Sequence, residues 1–342
     1  HFRGDGTNYL SVRGDEYKRL TPVYDWMKIP GATIVQLDKM PGENEIQKWG
    51  LTDYVGAVTD GTYGAVGLDF KSPHTGLAAK KVWFFFDKTY VCLGTDISSR
   101  MKNQVLTTVN QCLLNGQVTV SDADGIHPQE RGSRMKKGVR WVVHDRVGYY
   151  FLNKENVILS NQRTEGSWKI ANRQTTTPTD IIQQDVFTLS VDHGSYPNNE
   201  GYAYMVVPSA DPLSIEKQVE EEGVVVLANC PDVQAVRHDG LNMAYAVFYK
   251  GGTLRIHDKI VVEMDAPGML MVKYNDAGEI LTLGVSDPTR FMKKLHLSVN
   301  QRIVGTAQEN IQTEWDGKQA LTRISVDLPQ NEYAGKSVIY NK

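Results

Sequence analysis

The 342-residue chain has only three cysteines, Cys92, Cys112 and Cys230, far apart and without C-x-x-C spacing, which argues against zinc-knuckle and thioredoxin chemistry. An odd number leaves at least one free thiol, and two of the three sit inside apolar strand-like runs, where a thiol packs as an inert small hydrophobe. No apolar stretch approaches the length of a membrane-spanning helix, so no membrane partner is expected. Charge of one sign is also scarce. With 37 Lys and Arg against 40 Asp and Glu the net charge is -3, and no basic stripe recommends nucleic acid. Fixed-period repeats and low-complexity segments are missing too. Helical periodicity is confined to Leu213–Glu222, and the chain opens at His1 on strand-like sequence without Met or a leader. It therefore reads as a piece of a longer protein, with the first strands of its sheet expected to be absent.

What is present reads as strands throughout. The small-apolar alternation from Tyr54 to Phe70 turns at Asp60-Gly61, and Lys81–Phe86 with Tyr90–Gly94 forms a second pair. The unbroken run Val82-Trp83-Phe84-Phe85-Phe86 is expected to be buried on both faces, as between stacked sheets. Val105–Leu114 and Gly116–Val120 are expected to pair as a hairpin over Asn115-Gly116, followed by a polar loop from Ser121 to Gly138. A further hairpin, Val139–His144 with Val147–Leu152, turns at Asp145-Arg146. Short strands from Val224 to Leu297 suggest a second domain. The expected organisation is residues 1–212 as a large β-domain, 213–222 as a linker and 223–342 as a smaller β-domain.

Gly4–Gly31 carries the most information. Gly4-Asp5-Gly6, a short strand Tyr9-Leu10-Ser11-Val12 and a turn at Gly14-Asp15 lead to Tyr24-Asp25-Trp26 and the proline turn Ile29-Pro30-Gly31. Two large rings beside a carboxylate suit a sugar-binding wall or a core corner. Cationic groups for an acidic polymer would have to be local, because mild overall acidity repels such a polymer at range. Arg131, Arg134, Lys136, Lys137 and Arg140 are the densest group, which a solvated loop would equally explain. Asp122, Asp124 and Gly125 hint at a calcium loop, but no glutamate follows at the twelfth position.

The ordered set GDG, GDEY and P-V-Y-D-W-x-x-I-P-G, followed by Gly166–Asn172, Val191–Gly194 and Tyr202–Pro208, resembles the central β-domain of polysaccharide lyase family 8, the chondroitin AC, hyaluronate and xanthan lyases. The resemblance implies an all-β fold, a large antiparallel β-supersandwich of galactose-mutarotase type with a smaller C-terminal β-sandwich. It implies a parent carbon–oxygen lyase that cleaves uronic-acid polysaccharide by β-elimination, in the periplasm or outside the cell. In that family the asparagine, histidine, tyrosine and arginine that perform the reaction lie on an N-terminal helical toroid. No stretch of this chain reads as that toroid, so no catalytic residue is assigned here, and the toroid is an expected partner beside the acidic polysaccharide.

The resemblance makes Trp26 a substrate-wall residue; Tyr24 beside it and Arg134 of the basic group are further substrate-binding candidates. No cofactor is required for the reaction. Some family members hold calcium near this motif, which implies Asp5, Asp15, Glu16 and Tyr17 as oxygen donors, although the upstream member of that pattern falls on Arg3, which cannot ligate a cation. Two alternatives stay open: a non-catalytic carbohydrate-binding scaffold, and a sugar-epimerase site built on His144 or His193.

Overall fold

The computed structural model describes residues 2–47, 49–172, 174–303 and 308–342. Strands dominate. In chain order they are β1 (Thr33–Val35), β2 (Val55–Thr59), β3 (Gly64–Lys71), β4 (Ala78–Phe85), β5 (Tyr90–Ser98), β6 (Gln104–Leu113), β7 (Val118–Asp122), β8 (Gly125–Pro128), β9 (Ser133–His144), β10 (Val147–Gly166), β11 (Ile182–Ser195) and β12 (Glu200–Pro208). After α1 (Ile215–Glu222) come β13 (Val224–Cys230), β14 (Val233–His238), β15 (Met243–Phe248), β16 (Gly252–His257), β17 (Ile260–Met264), β18 (Gly268–Tyr274), β19 (Ile280–Ser286), β20 (Lys294–Val299), β21 (Ile311–Asp316), β22 (Leu321–Asp327) and β23 (Val338–Asn341). Backbone packing gathers these into two compact units. One holds His1–Leu51, Phe70–Ala79 and Ile97–Ile215; the other holds Thr52–Asp69, Lys80–Asp96 and Glu216–Lys342.

In the first unit the antiparallel order β1-β6-β11-β10-β12 is set by one unusually buried strand. Eight successive residues of β6, Val105 to Cys112, are buried, including Thr107, Thr108, Asn110 and Gln111. A strand covered on both faces must pair its polar side chains internally. Thr107 accordingly meets Thr33 at 2.8 Å and Thr108 meets Ser190 at 3.1 Å. The 20-residue β10 changes neighbour part-way: Val147–Phe151 pair with β12 and Val157–Gly166 with β11, with register shifts around Glu155. The β9–β10 turn, Asp145-Arg146, takes positive φ at both residues (49° and 64°), the handedness that a two-residue hairpin demands.

Four local expectations are corrected. Ser121–Gly138 is largely β8 and the start of β9, because β7 pairs with both and leaves only short turns. The Asn115-Gly116 turn does not close a hairpin: β6 pairs with β1 and β11, while β7 turns away to β8 and β9. Tyr9–Val12 is not a strand, for the reason given below. Gly166 ends β10, and Trp168–Ile170 form a 3-10 turn rather than a strand, capped by the Ser167 hydroxyl on the Lys169 N–H.

The second unit contains a β-sandwich with sheets ordered β13-β14-β15-β18-β19-β23 and β16-β17-β20-β22-β21. Their inner faces share one core that includes Ala246, Leu254, Val262, Leu270, Leu283, Leu295 and Ile324. The run in β4 behaves as its composition predicts at Val82, Trp83 and Phe84, all buried, while Phe85 is exposed. Glycine in β2 serves packing: a Cβ on Gly56 would stand 2.8 Å from the Pro288 Cα.

Candidate functional site

Residues 2–31 contain only two single-turn 3-10 helices, Phe2–Gly4 and Thr21–Val23, so side chains must supply the order that backbone ladders do not. Glu16 supplies much of it. Its buried carboxylate accepts the N–H groups of Val12 (2.6 Å), Arg13 (2.6 Å) and Gly14 (2.9 Å) and the Ser11 hydroxyl (2.7 Å). The Val12 N–H is consequently unavailable to a β-ladder and the Leu10 carbonyl accepts the Tyr17 hydroxyl, and Tyr9–Val12 is a loop. Burial alone would raise the Glu16 pKa, but the hydrogen bonds from Arg13, Ser11 and Val12 outweigh it and hold the group at about 2.

The end of the stretch is clamped onto β6. Gln111, fully buried, accepts from the Asp25 N–H (2.9 Å) and donates to the carbonyls of Asp25 (3.0 Å) and Lys28 (2.6 Å). Gly31 donates to the Thr108 carbonyl at 2.7 Å with φ +83°, and a Cβ there would fall 2.0 Å from Asn8 Oδ1. Gly166 is equally constrained: its Cβ would lie 1.9 Å from the Pro22 carbonyl oxygen.

This frame presents Trp26. The half-buried indole packs edge-on against Tyr24 (centroids 5.0 Å apart, 61° between planes), and the Arg3 guanidinium lies over it at 5.2 Å. Its Nε1 is buried without a hydrogen-bond partner among the described residues, an arrangement that costs about 1–3 kcal/mol. The Tyr24 hydroxyl meets that of the exposed Tyr9 at 3.3 Å, and Tyr9 packs edge-on against Tyr17 at 5.1 Å. Tyr17 donates to the Leu10 carbonyl or Asn110 Oδ1, both at 3.1 Å. Burial pushes the Tyr24 phenol far up, and contact with Tyr9 adds to this; burial likewise raises Tyr17. Both stay protonated at neutral pH, so the cluster presents ring faces, phenol hydroxyls and one cation.

The proposed calcium donors do not fit a cation cage. Glu16 is saturated by protein donors, Asp15 pairs with Arg13 at 3.0 Å and the Tyr17 hydroxyl is engaged by Leu10 and Asn110. Asp5 is buried, and among the described residues no group of three or more His, Cys, Asp or Glu side chains is placed to hold a metal. Asp122 is a turn acceptor, receiving Asp124 N–H, His127 and Lys136.

Arg134 is exposed on β9 with its guanidinium on Glu130 at 2.7 Å. Its neighbours are committed too, Arg131 to Asp185 at 3.0 Å and Lys136 to Asp122 at 3.1 Å. The two histidines of the epimerase alternative are core groups. His144 is stacked on Phe187 at 4.2 Å and its Nε2 accepts the Asn115 N–H at 3.0 Å; burial lowers its pKa to about 4. His193 is buried against Thr107, with Nε2 2.8 Å from the hydroxyl. Sequence reasoning missed Arg3, Tyr9 and Gln111. The consecutive polar pair Asn110-Gln111 inside an apolar strand was the readable signal for the last; Arg3 and Tyr9 carried none.

The wall and its frame can now be set beside known proteins. Residues 1–219 match the polysaccharide lyase family 8 super-sandwich domain, and residues 225–296 match that family's C-terminal β-sandwich domain. The chain belongs to polysaccharide lyase family 8. It is 35% identical over 342 residues to the chondroitinase-AC of Pedobacter heparinus, covering 98% of this chain and 45% of that protein. It is 28% identical over 322 residues to the hyaluronate lyase of Thermasporomyces composti, covering 92% and 40%. A solved chondroitinase AC lyase, studied as enzyme–oligosaccharide complexes, superposes with a TM-score of 0.84 at 34% identity, over 98% of this chain and 47% of that one. A Paenibacillus xanthan lyase shares the fold, with a TM-score of 0.84 at 22% identity over 98% of this chain and 33% of that one. The chain thus spans less than half the length of these relatives. Family 8 enzymes are carbon–oxygen lyases acting on polysaccharides.

Proposed function

We propose that this chain is the β-domain portion of a lyase that cleaves a uronic-acid polysaccharide of the chondroitin or hyaluronan type by β-elimination, and that it forms one wall of the substrate cleft. The observation that carries this reading is the Trp26 wall: an indole held by Tyr24, with Arg3 across its ring, on a loop whose backbone is clamped by Gln111. An aromatic face packs on the C–H face of a pyranose, and a guanidinium beside it suits an acidic sugar. The relatives named for chondroitin and hyaluronan support the substrate class.

β-Elimination removes the C5 proton of a uronate, whose carboxylate must be neutralised, and protonates the departing O4. Tyr24 and Tyr17 are held as phenols and His144 is buried and neutral, so in this reading the wall binds and orients while a helical toroid of the parent protein supplies the proton transfers. Arg134 would act on the substrate only after giving up Glu130. A polymer substrate of this size places the reaction outside the cell or in the periplasm.

The test is steady-state kinetics of the assembled parent lyase on chondroitin sulfate. Trp26→Ala is expected to raise KM about five- to tenfold with kcat within twofold, and Trp26→Phe to restore most of the loss. An unchanged KM in the alanine variant would remove Trp26 from the cleft.

A further inference from the structure

A second feature of the first unit is independent of the Trp26 wall. The end of β3, the turn that follows it, the end of β5 and the β11–β12 turn enclose an open cleft of about 850 Å³. Lys71, Thr75, Ser98, Arg100, Tyr196 and Asn198 supply its polar and aromatic lining, and no carboxylate lines it. Lys71 and Arg100 are exposed, and neither has an ion-pair partner among the described residues. This sets them apart from Arg131, Arg134 and Lys136, each of which is neutralised by an acid.

The aromatic member is held in place at a conformational cost. Tyr196 has φ 51°, in the left-handed region that a bulky side chain disfavours, and Asn199 in the same turn has φ 56°. Three hydrogen bonds impose that turn on the chain. The Tyr196 N–H donates to the Met101 carbonyl (3.3 Å), the Ser99 N–H to the Pro197 carbonyl (2.9 Å) and the Asn199 N–H to the Ser98 hydroxyl (3.0 Å). The ring nonetheless stays 58% exposed at the cleft, although burying it would gain energy. Two free cations, hydroxyl and amide groups and an exposed ring on a fixed turn are the groups that recognise a sugar bearing an anion. By contrast, the groove on the outer face of the β16-β17-β20-β22-β21 sheet sets three carboxylates, Glu263, Asp265 and Glu314, against Arg323 and His296, and Arg323 is paired with Asp316.

We propose that this cleft is a second polysaccharide subsite, which takes an anionic sugar unit with its carboxylate or sulfate between Lys71 and Arg100 and its pyranose face on Tyr196. The inference rests on the acidic-polysaccharide reading and extends it: the cleft would hold the polymer at a point away from the wall.

The experiment is isothermal titration of the protein carrying Trp26→Ala, to silence the wall, with hexasaccharides of chondroitin sulfate, hyaluronan and neutral isomaltose. Adding Lys71→Ala and Arg100→Ala is expected to weaken binding of both anionic ligands about tenfold and to flatten its salt dependence; Tyr196→Ala is expected to weaken it about threefold. A larger loss for chondroitin sulfate than for hyaluronan would identify sulfate as the preferred anion, and equal losses the carboxylate. The charge reversal Lys71→Glu with Arg100→Glu should abolish binding while the melting temperature stays unchanged, because both side chains are exposed and unpaired. Anionic binding that survives both pairs of substitutions, equal binding of the neutral ligand, or no binding by the Trp26→Ala protein would each overturn the proposal. Release of unsaturated product is read separately at 232 nm, so a protein that binds through Lys71 and Arg100 yet belongs to no active lyase would uphold the subsite and sink the lyase reading.

Discussion

Single residues in the first 31 positions, or packed against them as Gly166 is against Pro22, bear more structural responsibility than a loop setting suggests. Gly166 and Gly31 leave no room for a methyl group, with backbone or side-chain atoms 1.9 Å and 2.0 Å from where Cβ would stand. Gly166→Ala is expected to destabilise the protein by about 2–4 kcal/mol in urea unfolding, since the obstructing atom is a backbone carbonyl that cannot rotate away. Glu16 gives a pH signature. Its folded pKa, about 2, lies below the ordinary carboxylate value of 4.5, so its contribution is complete above pH 4.5 and is lost as pH falls towards 2. Glu16→Gln should therefore lower stability by about 1–2 kcal/mol at pH 7, with wild type and variant converging as acid is added; melting temperatures measured across that window check it.

At the scale of elements, β10 changes partner part-way and carries a titratable group at the change. Where it leaves β12 for β11, Glu155 accepts the Ala203 N–H in place of a ladder bond. Burial, with Glu200 adding to it, raises the Glu155 pKa to about 7 against the opposing Ala203 hydrogen bond. A raised carboxyl pKa means that the folded state holds its proton longer than the unfolded one, so the stability cost is absent below pH 4.5, grows between 4.5 and 7 and is complete above 7. Glu155→Gln should be stabilising by about 1–3 kcal/mol at pH 8 and neutral at pH 4.5, a sign opposite to that of Glu16→Gln. The elements themselves were unevenly legible. The Asp145-Arg146 hairpin was readable from the apolar runs that flank it. β8, β21 and β23 were not, because short or polar strands at a sheet edge carry no clear period-2 signal. The divergence of β7 from β6 is a tertiary choice that no local turn sequence encodes. At the site, Trp26 and Tyr24 were legible as an aromatic pair beside a proline turn, whereas Arg3 over Trp26 depends on folding across 23 positions.

At the scale of the whole molecule, the proposed function assigns substrate-binding surface to this β-rich chain. Among the described residues the one α-helix has eight residues, Ile215–Glu222, and burial raises the phenols of Tyr17 and Tyr24 well above their ordinary range. The central claim is therefore a division of labour, with binding here and proton transfer on a helix-rich segment of the parent protein. The most direct measurement is absorbance at 232 nm, where an unsaturated uronate absorbs, with this chain mixed with chondroitin sulfate, hyaluronan and xanthan, first alone and then with that helix-rich segment added. The account predicts a flat trace for the chain alone and a rise on a glycosaminoglycan once the two are combined. A rise from the chain alone would place acid and base within these residues, and a trace that stays flat after combination would leave a carbohydrate-binding scaffold as the better description.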